Sequence, residues 1–402
     1  MRVLFLTHRL PHAPNRGDRT RAFHIVNTLA PRVDLDLVSL VHDRHEMAQA
    51  DSLRRLGVRV STYRIPHWSN YARALVHLAG RRPLTHVLLD APGLVPSITK
   101  LVNERKPDVV LAYCSSMARV AVLPALANVP LVLDLVDVDS EKWLALAGSA
   151  SWPKRWVYRR EARCLAQFEY EAAAKARTTL VVNERERHAL QQLAPRASIH
   201  VVPAAIDVAG VRPQGAPTER PCVVFCGVMN YGPNIDGVQW FAREAWPLIR
   251  ATRPDARFVI VGSNPTAGVR RLASRESGIE VTGTVADVRR YLWDAAVSVA
   301  PLRIARGVQT KVLEAVAAGL PTVVTSLVFR GLPQAIRPAC TVADEAPALA
   351  QQTLSLLALS GAERRATAAK ADVTALDYET QLAPLHAILA AAASQDQQRI
   401  HS

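Results

Sequence analysis

The chain has 402 residues, 49% of them apolar, and carries a net charge of +14. That length and apolar content suit two domains, each able to bury its own core. No apolar run reaches the roughly 18 residues that a membrane-spanning helix needs. Met1–Thr7 is too short for the apolar core of a signal peptide, and no small-residue cleavage site follows it, so a cytoplasmic location is expected. Most of the positive charge is arginine, which suits a nucleic acid, an anionic membrane or a phosphorylated substrate. No helix-turn-helix, zinc-finger or aromatic-basic motif stands out, so nucleic acid is not an expected partner.

Short apolar runs alternate with longer helical patterns. Residues 2–7, 35–41, 58–65, 108–114, 130–137 and 178–183 read as buried strands. Residues 20–30 read as an amphipathic helix, with Ala22, Phe23, Val26 and Leu29 on one face. The Pro- and Ala-rich stretch 203–221 lacks periodicity and reads as a linker. Strands then resume at 222–227, 257–262, 279–282, 296–301 and 321–325, and a helical tail begins near 361. Such alternation predicts two doubly wound parallel sheets joined by one hinge. The expected domains are 1–205, with a crossover helix at about 372–402, and 206–371.

Ligands of open α/β sheets bind at the carboxyl ends of the strands. The first strand ends in a loop running through Arg16-Gly17-Asp18 to a helix. Gly17 permits close backbone approach, Asp18 suits an N-cap, and the helix start favours an anion such as a diphosphate. No GxGxxG is present, which disfavours a dinucleotide oxidoreductase. The strand 130–137 delivers Asp134, Asp137 and Asp139, with Lys142 just beyond. Unpaired buried carboxylates are costly, so these acids should meet a ligand or arginine partners. The strand 222–227 ends at Gly227, and Pro233 suits the first turn of the next helix. Five scattered cysteines exclude a disulfide framework, and Cys222 and Cys226 read as small buried apolar residues.

The richest segment is Ala300–Thr325. A strand ends at Pro301, and a loop with Arg303, Arg306 and Gly307 feeds a helix carrying Lys311 and Glu314 on neighbouring positions. The three cations suit a diphosphate, and Glu314 suits two vicinal hydroxyls such as those of a ribose.

At this segment the chain resembles glycosyltransferase family 4, retaining enzymes of the GT-B fold, in which two Rossmann-like doubly wound domains face each other across a cleft. The likeness runs through Gly17, Gly227, Val261-Gly262 and Lys311-x-x-Glu314-Ala-x-Ala-x-Gly319-x-Pro321. The strings at 17–26 (GDRTRAFHIV), 134–143 (DLVDVDSEKW), 227–241 (GVMNYGPNIDGVQWF) and 306–319 (RGVQTKVLEAVAAG) resemble sugar transferases of exosortase (PEP-CTERM) exopolysaccharide systems. The resemblance implies a nucleotide-sugar donor held by the second domain and a glycan or lipid-linked acceptor held by the first. It implies no cofactor and no metal. Gly17, Gly227, Arg303, Arg306, Gly307, Gln309, Thr310, Lys311 and Glu314 are assigned to the donor. Arg16, Arg21, Asp139 and Lys142 are assigned to the acceptor, and Asp134 and Asp137 to the reaction centre.

Glu314 falls on the second Glu of the family's E-x7-E signature. The first falls on Arg306, a departure that suits an acidic sugar or a further phosphate contact. The basic pair that the family places after the second-domain glycine falls near Val228 and Asn234 and is missing.

Two rivals remain. Asp34-Leu35-Asp36 and Asp137-Val138-Asp139 spell D-x-D, a carboxylate pattern able to hold a metal on a diphosphate. A basic scaffold that has lost catalysis is the other. His42-x-x-His45 reads as surface histidine rather than a metal pair. Two segments mixing aromatic and basic residues, 67–73 with Arg81-Arg82 and 152–160, suggest peripheral contact with an anionic membrane.

Overall fold

The computed structural model describes all residues except 14–16, 275–276, 306 and 401–402, and omits the side chains of 17, 18, 149 and 395–400. It divides into two compact units, Met1–Pro203 with Gln381–Ser402, and Ala204–Thr380.

Among the described residues the first unit holds seven strands: β1 (Arg2–Thr7), β2 (Asp34–Val41), β3 (Arg59–Arg64), β4 (Val109–Tyr113), β5 (Leu131–Val136), β6 (Thr178–Val181) and β7 (Ile199–Val201). They order as β3-β2-β1-β4-β5-β6-β7, every pairing parallel. The second unit holds β8 (Cys222–Cys226), β9 (Arg257–Val261), β10 (Ile279–Gly283), β11 (Val297–Ala300), β12 (Thr322–Val324) and β13 (Cys340–Val342). Its order is β10-β9-β8-β11-β12-β13, again all parallel. The two sheets therefore share one winding, in which strand order reverses beside the first strand of each unit. In such sheets the crevice at that reversal is where ligands bind.

Helices cover both faces of each sheet, which is why the central strands are apolar throughout rather than alternating. All five residues of β4 are buried, as are five of the six in β1. The helix Gly17–Leu29 buries Ala22, Ile25, Val26 and Leu29. It begins one residue before Asp18, the expected cap. The last helix, Tyr378–Ile400, buries Leu382, Leu385 and Leu389, and from Gln381 onward it packs as part of the first unit.

The stretch 203–221 is not a free linker. The chain leaves the first unit at Pro203, and the remainder is built into the second. Ile206 bridges Asp377, and Val208–Val211 forms a short helix whose start is capped by Asp207, which accepts from Gly210 N at 2.8 Å.

Candidate functional site

In the second unit, backbone rather than side chain forms the floor at the carboxyl ends of β8, β9 and β11. Gly262 has φ +154°, and a Cβ there would lie 1.7 Å from the carbonyl oxygen of Gly227. A Cβ on Gly227 would meet Asn234 Nδ2 at 2.7 Å, and one on Gly237 would meet the Pro301 carbonyl oxygen at 2.7 Å. Glycine at these points lets three strand-end loops touch with nothing between them. The loop after β11 is also tied down from β12, because Thr325 Oγ1 donates to Leu302 O at 2.7 Å.

Onto this floor the helix Thr310–Ala317 delivers Lys311 and Glu314. Val312, Leu313, Ala315, Val316 and Ala317 of the same helix are buried in the core, so the face with the two charges is the one left partly open. Lys311 Nζ donates to Asn234 Oδ1 at 2.6 Å and lies 4.9 Å from the centre of the Phe225 ring. Asn234 Nδ2 in turn donates to Val228 O at 2.9 Å. Burial lowers the Lys311 pKa to about 8, with Cys226 and Glu314 offsetting part of the shift. Burial raises Glu314 to about 7, against the pull of Lys311. A cation and an acid thus sit half-buried on the open face with few protein partners, which leaves their charges to act on a ligand. Asn234, where the resembled family has a cation, is what positions Lys311.

The other donor assignments separate. Gly307 sits at φ +63°, as its turn requires. Gln309 occupies the cap position of the Lys311 helix, and Thr310 is its first residue. Arg306 lies outside the described residues. Arg303 is already neutralised: its Nε and Nη2 grip Asp236 at 3.0 and 2.5 Å, and it stacks 5.3 Å from the Trp240 ring centre. Its charge is matched within the protein, whereas that of Lys311 meets only an amide oxygen and a ring. Burial raises the thiols of Cys222 and Cys226 to about 11 and 12, which leaves them inert at neutral pH.

In the first unit, the ends of β4 and β5 are strained. Cys114 and Val136 have φ of 68° and 66°. For β-branched Val136 this is a true outlier, costing on the order of 1–3 kcal/mol, and such strain gathers at functional sites. The register between β5 and β6 shifts between Asp134 and Val136, and the chain then turns at Asp137. The two aspartates have different surroundings. Asp134 is buried and accepts from Arg21 Nη2 at 3.1 Å and from Val136 N at 3.1 Å. Arg21 also donates to Pro203 O at 2.9 Å. This buried pair braces the strand end, so neither the reaction role expected of Asp134 nor the acceptor role expected of Arg21 follows from their placement. Asp137 differs: its Oδ1 is buried without a hydrogen-bond partner. Burial first, then Glu186, raise its pKa to about 7, while Lys142 pulls it down.

Asp139 and two acids missed in the sequence complete the cluster. Glu186 accepts from Val138 N at 2.9 Å, and Asp139 accepts from Ser115 Oγ at 2.6 Å. Glu169 accepts from Ser140 N at 3.3 Å and from Ser140 Oγ. Backbone N–H groups at the start of the helix Asp139–Ser149 thus hold two glutamates from other helices. Burial, with Asp139 nearby, raises Glu169 to about 8. Between its unfolded value near 4.5 and this value, the folded chain binds more protons than the unfolded one, so stability falls as pH rises through that window. Glu169→Gln removes this loss, and the wild-type melting temperature should drop more than the variant's between acidic and mildly alkaline pH. Equal drops in the two proteins would refute the assignment.

Gly17 opens its helix, and Arg16 lies outside the described residues. The first D-x-D is absorbed by ion pairs: Asp36 pairs with Arg59 at 2.7 Å, and Asp34 with Arg105 at 2.6 Å and with Arg59. His42 stacks on His67, whereas His45 meets Gln49, so the two do not form a pair.

Residues 220–359, wholly within the second unit, match the family model described as Glycosyl transferases group 1. No curated protein sequence matches the chain. Among solved structures, Anabaena Alr3699/HepE in complex with UDP aligns over 97% of this chain and 100% of its own, with 15% identity and a TM-score of 0.65. The α,α-trehalose 6-phosphate synthase of Burkholderia multivorans aligns over 98% and 99%, with 12% identity and a TM-score of 0.64. TarM of S. aureus aligns over 96% and 98%, with 10% identity and a TM-score of 0.63. The chain has the GT-B fold, and residues 220–359 of its second unit are similar to the group 1 glycosyl transferases.

Proposed function

We propose that this protein is a retaining glycosyltransferase that moves a sugar from a nucleoside-diphosphate sugar to a glycan or lipid-linked acceptor, in exopolysaccharide or lipid-linked glycan synthesis. The observation that carries the reading is the half-buried Lys311–Glu314 pair beside the Gly227–Gly262 floor, inside the matched segment. HepE, of the same fold, is described in complex with UDP and glucose.

In this mechanism Glu314 accepts from the ribose hydroxyls. Lys311 and the N–H groups opening the Thr310–Ala317 helix meet the charge that grows on the leaving diphosphate. Gly307 and Gln309 lie in the turn that leads into the same helix. No protein nucleophile is required, and no metal, because Lys311 and the helix N–H groups take the leaving-group charge. Asp137 positions the acceptor hydroxyl, and Lys142, near enough to lower the Asp137 pKa, assists it. Full activity in excess chelator is the expected result, and loss of activity there would revive the metal-dependent alternative.

The donor assignment is tested by Lys311→Ala and Glu314→Ala. Each removes one charge-assisted contact, so each should weaken UDP binding by about 1.5–3 kcal/mol. Calorimetric titration reads this directly, and thermal stabilisation across a panel of nucleotide sugars identifies the preferred donor. Wild-type affinity in both variants would sink the assignment.

We also propose peripheral contact with an anionic membrane on the cytoplasmic side, through the first unit. The helix His67–Val76 presents Trp68, Tyr71, Leu75 and Val76 to solvent, with Trp68 90% exposed. Trp152, 82% exposed, and Trp156 lie beside exposed Lys154, Arg155 and Arg159. Arg160, grouped with these in the sequence reading, is instead buried and donates to the carbonyls of His77, Leu78, Gly80 and Arg82. The protein should sediment with anionic vesicles at low salt and release at high salt. Arg155→Glu with Arg159→Glu should abolish this, whereas Arg160→Glu would unfold the turn and report nothing about lipid. Sedimentation that ignores salt would count against the proposal.

A further inference from the structure

The first unit contains a cavity of about 510 Å³ walled by the helices His67–Val76, Leu84–Leu88, Leu94–Glu104 and Ser115–Ala121 with their flanking turns. Three arginines on this wall converge on one carboxylate. Arg119 Nη1 donates to Asp90 Oδ1 at 2.7 Å, and the Nη2 atoms of Arg73 and Arg82 each donate to Asp90 Oδ2 at 2.9 Å. Three positive charges share one negative charge, leaving a surplus of two.

The surplus is accessible. Arg119 is largely buried, whereas Arg73 and Arg82 are half-exposed and engage Asp90 through Nη2 alone. Their Nε and Nη1 groups remain for a second anion. Burial lowers the Arg119 pKa, and Arg82 and Arg73 push it further down against the pull of Asp90. Arg119 Nη2 also donates to Leu89 O at 2.8 Å, so the unmatched charge lies with Arg73 and Arg82.

A second observation points to a ligand. His86 lines the same cavity, is 3% exposed, and its Nε2 is buried without a hydrogen-bond partner, as is Arg119 Nε. Unsatisfied buried polar groups are uncommon and costly. Burial and the flanking arginines hold His86 neutral, with a pKa of about 3, so it can contribute one hydrogen bond and no charge.

We propose that this cavity is a binding site for a phosphate monoester or terminal phosphate group, which Arg73 and Arg82 grip at the mouth. A phosphate monoester carries about −1.5 to −2 at neutral pH, which matches the surplus, and planar guanidinium groups bind its oxygens in pairs. The cavity is far larger than one phosphate, so the group enters attached to something. The site belongs to the first unit and the Lys311 floor to the second, and the proposal does not depend on the donor reading.

The test is a phosphate titration with UDP saturating, so that the second unit's site is filled. Inorganic phosphate is the soluble probe. Phosphatidylcholine vesicles containing phosphatidic acid, compared with phosphatidylserine vesicles of equal surface charge, are the lipid probe. Wild type should bind phosphate or favour phosphatidic acid. Arg73→Gln with Arg82→Gln should weaken that binding about 10-fold or more while UDP binding stays unchanged. The variant keeps the buried Arg119–Asp90 pair, and a wild-type circular-dichroism spectrum and melting temperature show that the first unit is folded. Preference for phosphatidic acid over free phosphate identifies a lipid head group as the source, and equal binding identifies a soluble phosphate. Absence of both responses in wild type, or wild-type phosphate affinity in the double variant, overturns the proposal. Failure of UDP to bind wild type would count against the donor reading alone, and the titration then runs without it.

Discussion

Asp137→Asn should leave UDP affinity unchanged and lower sugar transfer by about 100-fold, the loss that follows when a positioned reacting group is freed or misplaced. Asparagine keeps the shape of the side chain but cannot accept through both oxygens. The wild-type rate should rise with pH through about 7, because that is where the Asp137 carboxyl ionises and only its ionised form accepts on both oxygens. The variant should lose this rise. Its melting temperature should not fall, since the change removes repulsion from Glu186, the second cause of the raised pKa. The result that sinks the idea is a variant with full transfer activity and the same pH profile. Asp134→Asn makes the contrast. Asp134 is bonded to Arg21 and Val136 N, so its replacement should cost stability before it costs activity.

The long strands were legible because strands buried on both faces write themselves as apolar runs. Two strands were not, β7 and β13. Each has three residues and pairs on one side only, so no residue in either is fully buried and no apolar run marks them. The stretch 203–221 misled through composition. Its Pro and Ala content hid a capped turn of helix whose cap, Asp207, was visible in the sequence. Arg160 misled in another way: its basic and aromatic neighbours face solvent, but its own position on the helix turns inward.

The Lys311–Glu314 pair was legible because its geometry is local. Lys311 and Glu314 sit three apart on one helix, and the glycines mark where loops must touch. The partners were not. Asn234 lies 77 residues from Lys311, and Arg21 lies 113 from Asp134. The Asp90 cluster draws its three arginines from separations of 17, 8 and 29 residues, across three different segments. A charge that finds its partner only through the sheet topology cannot be told beforehand from a solvated one.

Gly262→Ala should destabilise the protein by about 3 kcal/mol or more, combining overpacking with backbone strain. The added Cβ would lie 1.7 Å from a backbone oxygen, which no rotamer change relieves, and φ +154° is a conformation that an L-residue resists. Gly227→Ala is the milder probe of the same floor. Its Cβ would meet Asn234 Nδ2 at 2.7 Å, the end of a side chain that can swing away. That swing breaks the bond from Asn234 to Val228 O and withdraws the acceptor of Lys311. Gly227→Ala should therefore fold, with a smaller loss of stability, yet bind UDP about 10-fold more weakly because Lys311 is no longer held. Chemical denaturation measures the first effect and calorimetry the second. Two variants with equal stability would show that the loops do not meet at Gly262. A stable Gly227→Ala with wild-type UDP affinity would separate the glycine floor from the donor site.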